Sequence, residues 1–148
     1  MLHRFVSVCA CALMSLTLSG CTSEEVTEVA PTESSIKELS IMYGGFVGRN
    51  GGRPPRTYDE FKAYVTKNLS TGPSPKTPDQ ITQILTSPRD QQPFKVVTGT
   101  APAVAPGEQA PVIYEAVGVD GLRAVAFSLG KVELLDDAKL KAAIPQAN

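Results

Sequence analysis

Beyond Cys21 this chain has no cysteine, its one histidine is His3, and tryptophan is absent altogether. Everything after position 21 therefore lacks the means for a Ser-His-Asp triad, a Cys–His pair, a Cys/His zinc site or a disulfide. Neither sign of charge dominates: 14 basic side chains stand against 15 acidic ones. Nucleic-acid binding favours a strong basic excess, so no nucleic-acid partner is expected. Phosphate-cradling patterns of the GxGxxG or G-x-x-x-x-G-K-[ST] type do not occur, and no cofactor is implied. Four tyrosines and five phenylalanines are too few for a broad aromatic sugar-binding platform once a core has been filled.

A long apolar run is also missing. The one apolar stretch, from Phe5 to Leu18, is uncharged and follows His3 and Arg4. At roughly 15 residues it falls short of the ~20 that a bilayer-spanning helix needs. A positive start, a short apolar middle and small residues at the end is the layout of a secretory signal peptide. A buried N-terminal helix fits poorly, because the run has no polar face and ends abruptly in Thr22-Ser23-Glu24-Glu25.

The end of that stretch, Leu18, Ser19, Gly20 and Cys21, resembles the bacterial lipobox, in which an aliphatic and two small residues precede a cysteine. The resemblance implies cleavage before Cys21, a diacylglycerol on its thiol and often a fatty acid on the new amine. Two or more acyl chains anchor stably where one does not. The expected partner is thus a membrane, held through the N-terminal lipid and not crossed. In that family Asp directly after the cysteine goes with retention in the inner membrane. Thr22 in that place favours the periplasmic face of the outer membrane.

The expected layout is a leader at 1–20, a lipidated flexible tether at 21–33 and a single α+β domain at 34–148. Thr22 to Glu33 is acidic, contains Pro31 and has no helical stripe. Ser35 with Glu38 forms a capping-box pattern ahead of Ile36, Leu39, Tyr43 and Phe46, which share one helical face. Gly44, Gly45 and Gly48 are expected to fray that helix near Val47. Thr57 with Glu60 opens a second helix carrying Tyr58, Phe61, Val65 and Leu69, and Thr77-Pro78-Asp79-Gln80 opens a short third one with Ile81, Ile84 and Leu85.

From Pro93 the period becomes extended. Strands are expected at 94–98, 111–119, 122–129 and 131–135, with Asp120-Gly121 as a type I′ hairpin turn and Gly130 as a second turn. Asp136 caps a closing helix in which Leu140, Ala143 and Ile144 face inward before Pro145. The sum is N-terminal helices on a small antiparallel meander of three to four strands, with a C-terminal helix.

The segments MYGGFVGRNGGRPPRTYDEFKAYV, SPRDQQPFKVV and PVIYEAVGVDGLRAVAFSLGKVELLDDAKL carry a resemblance over most of residues 36–144. They resemble the end of the long helix, the Gly/Pro loop and the small sheet of type II secretion pseudopilin heads. They are also similar to small uncharacterised lipoproteins of planctomycete-type bacteria, with patterns like SPRDG-P and YE-GVDG-R-V-F. The resemblance implies the fold and no catalytic residue. Two departures stand out: a lipobox replaces the methylated pilin N-terminus, and Gln91 stands where the related pattern has Gly, which leaves that turn open.

Among candidate sites, Arg49, Arg53 and Arg56 crowd one Gly/Pro loop and could hold an anionic headgroup or cell-wall polymer, although a solvated loop explains them as well. Asp90, Glu115 and Asp120 could supply a carboxylate pair of the kind glycoside hydrolysis uses, but nothing local sets their separation. Ion pairs with Arg89 and Arg123, and turn capping, account for them more simply. Asp136-Asp137 reads as a helix start and not as a cation site. The functional expectation is a non-enzymatic envelope lipoprotein acting through an envelope protein partner. The alternative is a periplasmic ligand-binding or sensor module for an anionic envelope component.

Overall fold

A computed structural model of the chain describes residues 31–100, 104 and 107–147. The leader, the lipobox with Cys21, and the tether as far as residue 30 lie outside the described residues. Four helices and four strands follow: α1 (Pro31–Arg49), α2 (Tyr58–Thr71), α3 (Pro78–Ile84), β1 (Lys95–Val96), β2 (Pro111–Tyr114), β3 (Leu122–Phe127), β4 (Val132–Asp136) and α4 (Asp137–Ala143). The strands form one antiparallel sheet in the order β1-β2-β3-β4, a simple meander. The expected α+β class and its order of elements hold.

α1 begins at Pro31, ahead of the expected start, so Ser35 lies inside the helix and its capping box with Glu38 is not formed. Pro31 suits a first helical turn, where its missing N–H has no partner to lose. At the other end the helix does not fray at Val47 but runs to Arg49. Gly51 takes φ 64° and the Gly52 N–H donates to the Val47 carbonyl at 2.9 Å, the closing bond of a Schellman stop. Packing gives Gly45 a role in the helix. A Cβ on Gly45 would lie 3.0 Å from the Tyr64 hydroxyl, so α1 and α2 approach closely there.

The apolar stripe of α1 lands as the spacing requires. Ile36, Leu39, Tyr43 and Phe46 are buried against Phe61 and Val65 of α2, Ile81 of α3, and Ile113, Ala124 and Ala126 of the sheet. Phe46 meets Tyr64 edge-on at 5.3 Å, and Tyr43 meets Phe61 at 5.8 Å. Such pairs add about 0.5–1.5 kcal/mol each beyond area burial. The opposite sheet face carries Val97, Tyr114 and Val125, and there Leu140, Ile144 and Ala147 close a second, smaller core. The sheet is therefore covered on both sides, by α1–α3 and by α4. β2 accordingly has all four residues buried, the mark of a strand with no wet face.

Three expected strands are longer than the ladders that form. β1 keeps two residues of the expected five, and β2 stops at Tyr114 where a run to Val119 was expected. β3 ends at Phe127 instead of Leu129. The Asp120-Gly121 turn is as expected: both residues have positive φ, 54° and 74°, and Val119 and Leu122 exchange backbone hydrogen bonds across it.

Candidate functional site

β2 stops because the next residue puts its side chain into the ladder. The Glu115 N–H still donates to the Ala124 carbonyl at 2.9 Å, but the Ala124 N–H donates to Glu115 Oε2 at 2.8 Å. A carboxylate oxygen thus stands in for a backbone carbonyl, and the Glu115 side chain is turned fully out of water. An isolated buried carboxylate is costly, so partners are obligatory. They come from the turn after α3. Ser87 Oγ donates to Glu115 Oε1 at 2.6 Å, and Arg89 Nη1 donates to Oε2 at 2.9 Å. Arg89 Nη2 reaches the Val119 and Leu122 carbonyls at 3.5 and 3.4 Å, at the hairpin's base.

The same turn holds the hairpin a second way. Asp90 Oδ2 accepts the Val117 and Gly118 N–H groups, both at 2.9 Å, and Oδ1 accepts the Gln92 N–H at 3.0 Å. Burial by itself would raise the Asp90 pKa. The backbone donors of Gly118, Val117 and Gln92 outweigh it and hold the carboxyl below its ordinary value of 3.8. Gly118 sits at φ 80°, where a Cβ would come within 2.4 Å of the Leu122 carbonyl oxygen. Only glycine fits between the Asp90 carboxylate and the returning strand.

The turn is itself closed on both sides. Ser87 N–H donates to the Gln92 carbonyl and Gln91 N–H to the Ser87 carbonyl, each at 2.9 Å. Gln91 takes φ 57°, the conformation glycine adopts most readily. Gln91 therefore makes the left-handed turn with a side chain in place. Its side-chain amide donates to the Pro88 carbonyl at 2.8 Å.

Residues 87–92 and 115–123 thus form a latch that ties the α3–β1 turn to the β2–β3 hairpin. Of the three carboxylates considered, the latch brings in Glu115 and Asp90, and leaves Asp120 at the exposed hairpin tip. Glu115 is closed to any substrate by burial and by three donors. Arg123 does not join Glu115. It donates to the Ala116 carbonyl at 2.8 Å and pairs with Asp137 at 3.1 Å. Asp136 caps α4 by accepting the Lys139 N–H at 2.8 Å, the helix-start role expected. An open groove of about 650 Å³ lies beside the latch, with Lys76 its one charged lining side chain.

The arginine loop is arranged differently. Arg53 meets both Glu60 carboxylate oxygens, at 2.8 and 3.4 Å, and lies 5.9 Å from the Phe46 ring centroid. Arg49 donates to Asn68 at 3.3 Å and lies 5.7 Å from the Tyr64 ring centroid. Arg56 gives its backbone N–H to Glu60 while its side chain remains in solvent. The anion already held in this loop is Glu60, and so the Thr57–Glu60 capping box is only half made. Thr57 accepts the Glu60 N–H, but the Glu60 carboxylate faces Arg53 and the Arg56 N–H.

No protein-family model, curated protein or solved structure matches this chain. No helix among the described residues is long and apolar enough to cross a membrane.

Proposed function

We propose that this chain is a lipid-anchored protein of the bacterial cell envelope, held through Cys21 and acting by protein contacts, not by catalysis. The anchor reading rests on the run from Phe5 to Leu18 ending in Leu18-Ser19-Gly20-Cys21. The non-catalytic reading is carried by one observation: the carboxylate most removed from water, Glu115, spends its hydrogen-bonding capacity on Ser87, Arg89 and Ala124. Its chemistry is that of a structural tie. We also propose that the likeness to pseudopilin heads extends to fold, with no stem helix implied. The periplasmic face of the outer membrane is the expected location.

Fractionation of cells expressing wild type and Cys21→Ala tests the anchor. The wild type is expected in the membrane fraction and the variant in the soluble one. A Cys21→Ala protein that still pellets with membranes and resists carbonate extraction overturns it. The alternative, recognition of an anionic envelope polymer, draws on Arg56, whose exposed side chain makes no direct ion pair among the described residues. Polymer binding that vanishes in an Arg49/Arg53/Arg56 triple-alanine variant would favour that reading.

A further inference from the structure

The turn that stops α1 binds every one of its backbone donors except one. The Asn50 N–H donates to the Phe46 carbonyl at 3.1 Å, the Gly52 N–H to Val47 at 2.9 Å and the Arg53 N–H to Asn50 at 3.2 Å. The Gly51 N–H between them has no partner among the described residues. Asn50 and Gly51 are both exposed, and no atom lies within 4 Å of where a Cβ on Gly51 or Gly52 would stand. One hydrogen bond holds the Asn50 side chain, from Nδ2 to the Phe46 carbonyl at 2.8 Å, an acceptor it shares with its own backbone N–H. Asn68 is the opposite case. It lies inside α2, its Nδ2 donates to the Tyr64 carbonyl at 2.7 Å, and the next residue is the partly buried Leu69, whose N–H belongs to the helical ladder.

We propose that Asn50–Gly51 is a site of spontaneous modification, at which the free Gly51 nitrogen displaces the Asn50 side-chain amide. Glycine has no side chain to shield that nitrogen, and an unbound N–H gives up no acceptor when it reacts. Hydroxide takes the Gly51 amide proton, and the nitrogen attacks Asn50 Cγ. The new N–C bond closes a five-membered imide, the Cγ–Nδ2 bond breaks, and Nδ2 leaves as ammonia with a proton from water. Water then opens the imide at either carbonyl, leaving aspartate or isoaspartate at position 50. Both products place a carboxylate at the C-terminal end of α1, where the helix dipole disfavours an anion. Neither carboxylate can donate to Phe46, and isoaspartate adds a methylene to the main chain, which shifts the carbonyl that Arg53 binds. The reaction therefore loosens the stop of α1 and the loop that carries Arg53 and Arg56. It is independent of the lipid anchor and of any protein partner.

The test keeps the purified full chain folded in mildly alkaline buffer and maps its peptides by chromatography and mass spectrometry over days. The fragment containing residue 50 is expected to gain the mass of deamidation as separate aspartyl and isoaspartyl forms, faster at higher pH. The fragment containing Asn68 is expected to stay unchanged over the same period. Asn50→Gln sets the amide one methylene farther from Gly51 and keeps a neutral side chain. It is expected to slow the change at position 50 by at least about tenfold, or ~1.4 kcal/mol in barrier. An unchanged residue 50 in the folded protein overturns the proposal, and reaction there only after unfolding in urea would show that the fold shields it. Equal rates at Asn50 and Asn68 also overturn it. So does a product that is aspartate alone, since direct hydrolysis by water needs no attack by Gly51.

Discussion

Two arginine–glutamate pairs in this molecule have nearly the same contact distance, 2.9 Å for Arg89–Glu115 and 2.8 Å for Arg53–Glu60. Their surroundings differ. Glu115 has no exposed side-chain surface, and its other donors are a buried serine and a strand N–H. Glu60 is about one-third exposed, in the first turn of α2 where water has access. In the first pair Arg89 is the countercharge of a carboxylate that water does not touch. In the second, water stands ready to replace either partner. Contact geometry alone would rank the pairs as equals, and burial separates them.

The largest expected effect is the loss of Glu115. Glu115→Ala leaves Ser87 Oγ, Arg89 and the Ala124 N–H facing a void. Breaking a buried pair by removing one partner costs about 3–5 kcal/mol. A fall of that size in unfolding free energy, read from urea denaturation, is the expected outcome. A loss below about 1 kcal/mol would mean that water enters the site and that Glu115 is not the tie described.

Next comes the hairpin that the latch holds. Gly118→Ala places a methyl where the Leu122 carbonyl oxygen stands and forces a left-handed residue to carry a side chain. The conformational part alone costs about 1–2 kcal/mol, and relief of the clash displaces Val119–Leu122 further. The variant is expected to lose about 2–4 kcal/mol. Amide exchange should quicken at Val117 and Gly118, whose N–H groups then lose Asp90. Exchange quickened equally across α2 would point to global unfolding instead.

Asp90 sharpens the comparison through pH. Its pKa is lowered in the folded protein, so its stabilisation is fully present above its ordinary value of 3.8 and is lost as pH falls through the depressed folded value. Stability is expected to decline below about pH 4, with a shallower decline in Asp90→Asn. At neutral pH that variant should cost about 1 kcal/mol, the size of a lost charge-assisted hydrogen bond partly open to water. Identical acid limbs for the two proteins would rule Asp90 out as a source of the decline.

Capping and turn chemistry, which is local, was legible in the residues themselves. Thr57, Thr77, Asp120-Gly121 and Asp136 all act where their neighbours indicate. The apolar stripes of α1 and α2 were legible for the same reason, since a period of 3.6 is written in adjacent turns. The latch was not. Arg89 and Glu115 each stood out, but 26 positions separate them, and nothing near either residue encodes their meeting. The short strands have a related cause: β2 ends where Glu115 substitutes its side chain for its carbonyl, a choice made by Ala124 across the sheet. Ser35 failed as a cap because α1 had already begun at Pro31.

Gln91→Gly asks whether the latch turn is strained. A left-handed non-glycine residue costs about 1–2 kcal/mol, and glycine gives back about 0.5–1 kcal/mol through unfolded-state entropy. The variant also loses the bond from Gln91 to Pro88. A net stabilisation of no more than about 1 kcal/mol is expected. A clear loss of stability would show that the Gln91 amide contributes more to the latch than its backbone conformation costs.

The smallest effect should come from the exposed pair, and it is the direct test of the opening contrast. Arg53→Ala removes the ion pair but leaves the Glu60 carboxylate on the Arg56 N–H and leaves Thr57 as the cap of α2. Water can solvate the freed carboxylate at once. Exposed pairs gain little in high dielectric and are screened by salt. The thermal midpoint of Arg53→Ala is therefore expected to match wild type, with any difference fading as salt is added. Arg89→Ala deprives the buried Glu115 carboxylate of its countercharge, so its midpoint should fall sharply and salt should not restore it. Equal losses in the two variants would mean that the contact itself, and not its burial, sets the worth of each pair.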